Sequence, residues 1–400
     1  MWIKRDFSNI LARHASQQES PLIRVSVLKG PRQVGKTSLL EQLPGYQLIL
    51  FDDHSLRARA QESPSLFLDQ MSNALILDEA SLVPDLFPEI KKRVDQAKRK
   101  KRKGESYESI DYWITGSNQT LLSNYVQESL AGRASFFNLN TLSLHEIGSL
   151  DMSRFMLTGG WPEVHADLSQ NPIRYLNNLI STFIEKDIVQ AAGIEKKAAF
   201  TKSLQLVAGQ VGELVNYSNI ASAAGIESST VQSWILVLEQ NGLLRRVNPY
   251  TNNLNKRLIR TPKIYFEDIG LATRLQGWTE FSPLFVSPYF GHLVENIAYS
   301  EISRFFINND LESKIYFVRN REKVEVDFLL ELPNHRCVAI EVKATARDYA
   351  REQLELLDSL GLNIIAHWVV SPKEAPHFGS RKVIPFLQIY ESLLGLETSP

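Results

Sequence analysis

The chain has 400 residues, of which 44% are hydrophobic and 22% charged, so it can form several folded cores and is too apolar for a disordered protein. Its 44 Lys and Arg residues balance 45 Asp and Glu residues to a net charge of -1, which excludes a global field that attracts nucleic acid or membrane. Cys337 is the only cysteine, which excludes a disulfide framework and a multi-cysteine zinc site. Because the sequence has no signal segment and no membrane-length apolar stretch, we expect a cytoplasmic protein without membrane contact.

Residues 22–140 alternate short apolar runs with helical patterns, which is typical of a parallel α/β sheet. Strands are predicted at residues 24–28, 47–51, 74–77, 112–115 and 136–139, and helices at residues 37–43 and 87–97. The sequence therefore predicts an α/β fold for the first part of the chain.

Residues 30–37, GPRQVGKT, fit the phosphate-binding pattern G-x-x-x-x-G-K-[ST] between an apolar strand and a helix. Backbone N–H groups of such a loop surround phosphate oxygens, Lys36 supplies positive charge, and the Thr37 hydroxyl can bind Mg²⁺. The pattern predicts ATP and Mg²⁺ as cofactors. The predicted ATP-binding residues are Gly30, Pro31, Arg32, Gln33, Val34, Gly35, Lys36, Thr37 and Ser38.

The third predicted strand ends at two adjacent carboxylates, Asp78 and Glu79. Asp78 is suited to Mg²⁺, and Glu79 is suited to polarising an attacking water, as ATP hydrolysis requires and phosphate transfer by a kinase does not. An acidic turn without a catalytic role is the alternative. After the fourth strand, Ser117 is the first choice for contacting the γ-phosphate or the water, and Asn118 is the second.

Arg133 follows the same strand within the segment SLAGR. An arginine here could stabilise transition-state charge on the γ-phosphate of a neighbouring subunit, which would make the protein a homo-oligomer. A surface salt bridge or a structural cap is the alternative.

The middle of the chain changes character. Residues 151–192 have helical patterns with a break at residues 158–162, and residues 219–224 and 228–240 predict a helix-turn-helix whose second helix is capped by Ser228 and Ser229. Lys256, Arg257, Arg260 and Lys263 follow it, either as a wing that contacts a phosphate backbone or as a packing module for a protein partner. Residues 91–103, with a net charge of +8, are either a phosphate-binding patch or a flexible solvated loop.

The last part predicts a separate domain with a helix at residues 289–307, strands at 314–318, 323–330 and 337–342, a helix at 347–360 and a final strand at 363–370. Strand alternation and a turn at residues 333–336 place Asp327 near Glu341, with Lys343 on the same face. Two carboxylates and a lysine can bind Mg²⁺ and activate water against a phosphodiester, with Glu295 as a third ligand or a general base. A solvated acidic surface or a buried charge cluster is the alternative.

Several segments together resemble a bacterial and archaeal family of AAA+-type ATPases with a C-terminal domain of unassigned function. The segments are residues 30–37, 115–117, 129–133, 159–163, 262–266, 268–272 and 326–328. One departure is the sequence from Asp78 to Ser81, DEAS, where the family usually has DEIQ.

This resemblance implies a P-loop AAA+ ATPase domain at residues 1–150, a helical lid at 151–200, a winged-helix-like segment at 201–270 and a restriction-endonuclease-like α/β domain at 285–395. Glu295, Asp327, Glu341 and Lys343 resemble the PD-(D/E)xK nuclease pattern. We therefore predict an ATPase that drives or gates a nuclease-like or nucleic-acid-binding module, with DNA or RNA as candidate partners. The alternative is a nucleotide-controlled protein-interaction switch with an inactive nuclease-like fold.

Overall fold

A computed structural model describes residues 2–16, 22–251, 261–312 and 314–397 of the chain. Within these residues, the first sheet has five strands in the order β2-β3-β4-β1-β5, all of them parallel. The strands are β1 Ile23–Lys29, β2 Gln47–Leu50, β3 Ala74–Asp78, β4 Ile110–Thr115 and β5 Ser135–Asn138. The predicted parallel α/β sheet is confirmed, with strand ends shifted by one or two residues.

Helices cover this first sheet. They are Ser8–Ser16, Lys36–Leu40, His54–Glu62, Pro64–Asp69, Leu86–Lys103, Gln119–Leu130 and Leu144–Ile147, with a 3-10 turn at Ala80–Leu82. The helix Leu86–Lys103 buries an apolar face that includes Ile90 and Val94, and it ends at Gly104, whose φ of 70° suits a glycine. The basic run at residues 91–103 lies in this helix, so the alternative of a flexible loop is wrong.

The middle of the chain is helical, as predicted, and it breaks at Gly159. Its helices are Met152–Thr158, Pro162–Ala166, Pro172–Leu179, the π-helix Ile180–Ile188, Val189–Ala191, Lys197–Ala208, Tyr217–Ala224 and Ser228–Gln240. The helix-turn-helix is confirmed, with Gly225 at a φ of 69° in the turn. The predicted cap is wrong, because Glu227 occupies the N-cap position and Ser228 is the first helical residue.

A second sheet is mixed and has seven strands in the order β12-β11-β10-β9-β8-β6-β7 among the residues that the structure describes. These are β6 Leu244–Pro249, β7 Lys263–Phe266, β8 Lys314–Arg319, β9 Glu325–Leu332, β10 Arg336–Val342, β11 Asn363–Ser371 and β12 Lys382–Pro385. Strand β6 pairs with β8, so the segment after the helix-turn-helix and the C-terminal segment share one sheet. The domain boundaries given above remain predictions.

The remaining helices of the C-terminal part are Ile269–Leu275, Phe281–Phe285, Phe290–Asn308, Arg351–Asp358 and Ile389–Glu397, with 3-10 turns at Pro333–His335 and Phe386–Gln388. The prediction that a strand at residues 363–370 completes this part is wrong, because β12 and the helix Ile389–Glu397 follow it. No helix within the described residues is long and apolar enough to cross a membrane.

Two glycine-containing segments, at residues 159–163 and 268–272, are joined by close backbone contact. A Cβ added to Gly270 would lie 2.4 Å from the backbone N of Gly159, a distance that no side chain tolerates. The Asp268 carboxylate accepts hydrogen bonds from the N–H groups of Gly160 at 2.8 Å and Leu271 at 3.0 Å. The segments at residues 159–163 and 268–272 are thus two halves of one packed junction.

A buried arginine connects the same junction to the first sheet. Arg304 is fully buried and donates to the Thr141 hydroxyl and the Glu267 carbonyl, each at 2.6 Å. Its other terminal nitrogen donates to Glu301 at 2.7 Å, and Glu301 in turn accepts the Leu144 N–H at 2.8 Å. The segment after β5 and the helix Phe290–Asn308 are therefore linked through buried polar contacts.

Candidate functional sites

The loop at residues 30–37 lines a pocket of about 480 Å³ at the carboxyl ends of β1, β3 and β4. This volume is in the range of small-molecule sites. The lining residues are Trp2, Ile3, Arg5, Arg32, Gln33, Val34, Gly35, Lys36, Thr37, Ser38, Asp52, Asp78, Glu79, Ser117, Leu142, Pro162, Glu163 and Ala166. Most of the predicted ATP-binding residues therefore meet in one cavity, together with residues of the N-terminus and the lid region.

The loop conformation is fixed by side chains from elsewhere in the fold. Gly30 has a φ of 149°, and an added Cβ would lie 2.0 Å from the Leu139 carbonyl oxygen, so only glycine fits there. The Gln119 side chain accepts the Gly30 N–H at 3.1 Å and donates to the Gly30 carbonyl at 2.7 Å. Arg5 donates to the Val34 carbonyl at 2.8 Å from the opposite side. These contacts fix the backbone of the loop at Gly30 and Val34.

Lys36 is buried and bonded within the loop. Its ammonium donates to the carbonyl oxygens of Gly30 and Pro31, each at 2.8 Å. Burial lowers the pKa of Lys36 to about 8, against the opposing effect of Glu79 and Asp78. Negative phosphate charge next to the ammonium would favour the protonated form of Lys36.

Thr37 and Asp78 form the pair expected for a magnesium site. The Thr37 hydroxyl donates to the Asp78 carboxylate at 2.9 Å. Burial raises the pKa of Asp78, although the hydrogen bond from Thr37 opposes the shift. A hydroxyl and a carboxylate are oxygen ligands that Mg²⁺ prefers, so these residues fit the ion that a nucleotide would carry.

Glu79 lies next to Asp78 with a left-handed backbone φ of 54°, which is uncommon for a residue with a side chain. Its carboxylate accepts hydrogen bonds from both the Ser117 N–H at 2.9 Å and the Ser117 hydroxyl at 3.0 Å. Asn118, the second choice, instead caps the helix Gln119–Leu130 by accepting the Leu121 N–H at 3.0 Å. Ser117 thus contacts the carboxylate that was predicted to act on water.

Arg133 does not line this pocket. Its guanidinium forms a two-point ion pair with Asp95, at 2.7 and 2.9 Å, on the partly exposed surface. To reach a neighbouring subunit, Arg133 would have to leave Asp95. The structure thus shows the salt bridge that was the alternative, and the role in a neighbouring subunit remains a prediction.

Sequence reasoning missed the residues that support the loop from a distance. Arg5 lies in the N-terminal segment and Gln119 begins a helix, while the Tyr175 hydroxyl donates to the Gln33 side chain at 2.9 Å from the lid region. None of these three residues belongs to a known sequence motif. Their neighbours give no signal either, since Arg5 lies between Lys4 and Asp6 and Gln119 lies between Asn118 and Thr120.

The C-terminal carboxylates form a cluster, although its members differ from the predicted set. Glu295, Glu325 and Asp327 each offer one oxygen within 4.8 Å of the others. Glu341, opposite Asp327 in the predicted hairpin, is bonded to Lys343 by its side chain. Burial raises the pKa of Asp327, and the neighbouring Glu295 and Glu341 raise it further. Glu325 is the member that the sequence prediction left out of the site.

A buried lysine lies inside this cluster. Lys263 is 1% exposed and donates to Glu295 at 2.9 Å and, by a short hydrogen bond, to Glu325. Of the two alternatives for the basic segment, Lys263 does not fit a wing that contacts a phosphate backbone, because its ammonium faces the interior. Lys256, Arg257 and Arg260 lie outside the described residues.

Three family models match the chain in succession. Residues 23–148 match an AAA domain, residues 149–282 match a domain of unknown function (DUF8612), and residues 290–389 match a second domain of unknown function (DUF4143). Residues 23–148 are therefore similar to an AAA domain, which indicates nucleotide binding by this segment. It is followed by two domains whose function is unknown.

Relatives and solved structures give no further assignment. Uncharacterized proteins of Mycobacterium bovis and Mycobacterium tuberculosis are each 29% identical over 326 residues, which cover 80% of this chain and 70% of theirs. An uncharacterized protein of Haemophilus influenzae is 25% identical over 57% of this chain and 61% of its own. The Aeropyrum pernix ORC2 protein in its ADP form has 13% identity and a TM-score of 0.32, covering 62% of this chain and 87% of that one.

Proposed function

We propose that the protein hydrolyses ATP, with Glu79 polarising the attacking water. The observation that carries this proposal is the placement of the Glu79 carboxylate in the same pocket as Lys36 and the Thr37–Asp78 pair. A phosphate-binding loop alone supports nucleotide binding, whereas a carboxylate beside it supports water as the phosphate acceptor.

Each residue of the pocket has a role that its position determines. Backbone N–H groups of the loop and the Lys36 ammonium bind the phosphates, and Thr37 with Asp78 would hold Mg²⁺, which neutralises charge on the phosphates when it is bound. Ser117 fixes the orientation of the Glu79 carboxylate by two hydrogen bonds. Arg133 would add a positive charge from a neighbouring subunit.

The contacts around the pocket support a mechanical output toward the C-terminal part. Tyr175 of the lid region contacts Gln33 of the loop at 2.9 Å. At the other side, the Asn241 side chain donates to the Thr120 hydroxyl at 3.1 Å, directly after the residue that holds Gly30. A change in loop conformation on nucleotide turnover would reach both the lid and the helix-turn-helix through these contacts.

Two functions are candidates for the C-terminal part. In the first, ATP turnover drives or gates a nuclease-like or nucleic-acid-binding module, for which the exposed basic end of the helix Leu86–Lys103 offers phosphate contacts. In the second, the protein is a nucleotide-controlled protein-interaction switch with an inactive nuclease-like fold. The buried Lys263 in the carboxylate cluster favours an inactive fold, because it neutralises the carboxylates that a metal would need.

Turnover of ATP by the purified full chain tests the proposal. The wild-type chain should release phosphate in the presence of Mg²⁺, and Glu79→Gln should lower this rate by about 10²–10⁴-fold, the usual contribution of a general base. Adding DNA, RNA or a cell lysate to the wild-type assay then distinguishes the outputs by which of them stimulates turnover. Equal rates for wild type and Glu79→Gln would remove Glu79 from the mechanism.

A further inference from the structure

The C-terminal carboxylate cluster has the spacing of a cation site. One oxygen from each of Glu295, Glu325 and Asp327 lies within 4.8 Å of the others, which is a separation that oxygens bound to one divalent ion can have. The nuclease resemblance implies Mg²⁺ at this part of the fold. Whether the residues fit that ion depends on what already lies among the carboxylates.

The Lys263 ammonium lies among them. It donates to Glu295 at 2.9 Å and to Glu325 at a shorter distance, so two of the three carboxylates already accept a hydrogen bond from it. The Tyr265 hydroxyl, two residues further along β7, also donates to Glu295. Glu295 and Glu325 therefore already accept hydrogen bonds from side chains of the protein.

Cationic side chains already face most of the carboxylates in and beside the cluster. Lys263 lies between Glu295 and Glu325, Arg319 donates to Glu325 at 2.7 Å, and Lys343 is bonded to Glu341. Three cations thus face three carboxylates, with His292 in addition, 3.8 Å from Glu295 at the edge of the cluster. Asp327 has no cation of its own in this set, and its carboxylate accepts the backbone N–H of Val342 at 2.7 Å.

The backbone fixes Lys263 in this position. It begins β7, pairs with Val247 of β6, and its ammonium lies 5.5 Å from the centre of the Phe317 ring. Only 1% of the residue is exposed. Withdrawing the ammonium would leave the buried Glu295 carboxylate without its lysine partner, which costs more than the bond itself contributes.

We propose that the Lys263 ammonium is the resident cation of the Glu295–Glu325–Asp327 cluster and excludes divalent metal ions from it. The C-terminal part then performs no metal-dependent phosphodiester cleavage, and the cluster serves to join β7 to the helix Phe290–Asn308 and to β9. This inference is independent of ATP hydrolysis, since it concerns residues outside the nucleotide pocket.

Counting bound Mn²⁺ by electron paramagnetic resonance tests the proposal on the full chain without nucleotide. Wild type and Asp327→Asn should bind the same number of ions, because the cluster holds none in either protein. Lys263→Met removes the charge at similar length, and it should bind one ion more than wild type. Lys263→Met combined with Glu325→Gln is the matched control, and it should lose the additional ion.

The result that overturns the proposal is a wild-type chain that binds one Mn²⁺ more than Asp327→Asn. A folded Lys263→Met variant that gains no ion also contradicts it, because Lys263 would then not occupy the cation position. If Lys263→Met does not fold, the comparison of wild type with Asp327→Asn still decides the question.

Discussion

Ser117 donates two hydrogen bonds to one oxygen of Glu79, from its backbone N–H at 2.9 Å and from its hydroxyl at 3.0 Å. Ser117 follows β4 and Glu79 follows β3, two adjacent parallel strands whose carboxyl ends meet at the pocket. Glu79 has a left-handed backbone conformation, with a φ of 54°, and its side chain reaches Ser117. Ser117 therefore positions the proposed general base.

Ser117→Ala should reduce ATP turnover by about 10-fold, because one hydrogen bond to a charged group contributes roughly 1.5–3 kcal/mol and the backbone bond remains. Nucleotide affinity should change little, since the phosphates are bound by the loop. Steady-state kinetics measures both quantities. Ser117→Thr keeps the hydroxyl and serves as the control. A serine hydroxyl without a positioning role would give Ser117→Ala the wild-type rate.

Variants of Arg133 and Asp95 distinguish an arginine that acts on a neighbouring subunit from one that forms only a structural salt bridge. If Arg133 acts on a neighbouring subunit, Arg133→Ala should lower turnover by about 10³-fold at concentrations where subunits associate, whereas Asp95→Asn should preserve it. If the pair is only structural, both variants should lose the same small thermal stability and keep the wild-type rate. Phosphate release and thermal denaturation of both variants distinguish these results.

The junction at Gly270 should not accept a methyl group. Gly270→Ala places Cβ 2.4 Å from backbone atoms of the lid segment, and overpacking of this kind lowers the free energy of unfolding by about 1–3 kcal/mol or more. Gly291→Ala is the matched control, because no atom lies within 4 Å of its added Cβ and it lies in a helix. Chemical denaturation should show Gly291→Ala unchanged or slightly more stable. Equal losses in both variants would mean that the junction is not tightly packed.

Nucleotide binding should take up protons at mildly alkaline pH. Burial lowers the pKa of Lys36 to about 8 in the free protein, and phosphate charge beside the ammonium should raise it again. Near pH 8 the free protein carries this proton about half the time, so binding should take up about half a proton, and affinity should fall as pH rises further. Calorimetry in two buffers of different ionisation enthalpy measures the uptake. Lys36→Met should show none, and an uptake that persists in Lys36→Met would assign it to another group.

Local patterns were sufficient to predict the strands of the first sheet and the phosphate-binding loop. Both depend on short-range information, because apolar runs specify buried strands and the loop spacing is contiguous. The sequence assigned Ser117 and Glu79 to the same site, but it did not predict the hydrogen bonds between them. The basic run was harder to assign, since its helix depends on burying Ile90 and Val94 against the rest of the domain.

Contacts between distant segments could not be predicted. Nothing near Lys263 in the sequence indicates that its ammonium reaches Glu295 and Glu325, which lie 32 and 62 residues away. The same holds for Arg5, whose contact with the loop depends on how the N-terminal segment crosses the sheet. The sharing of one sheet by β6 and β8 likewise depends on tertiary pairing, because the two strands are far apart in the sequence and each has its nearer strand, β7 or β9, on its other side.

Equilibrium binding of ATP to the full chain with Mg²⁺ is the most direct test of the central claim that the loop at residues 30–37 is a nucleotide site. Wild type and Glu79→Gln should bind with similar affinity, because Glu79 acts on water, and Lys36→Met should bind much more weakly. A wild-type chain that does not retain ATP, or a Lys36→Met variant that binds as well as wild type, would contradict the claim.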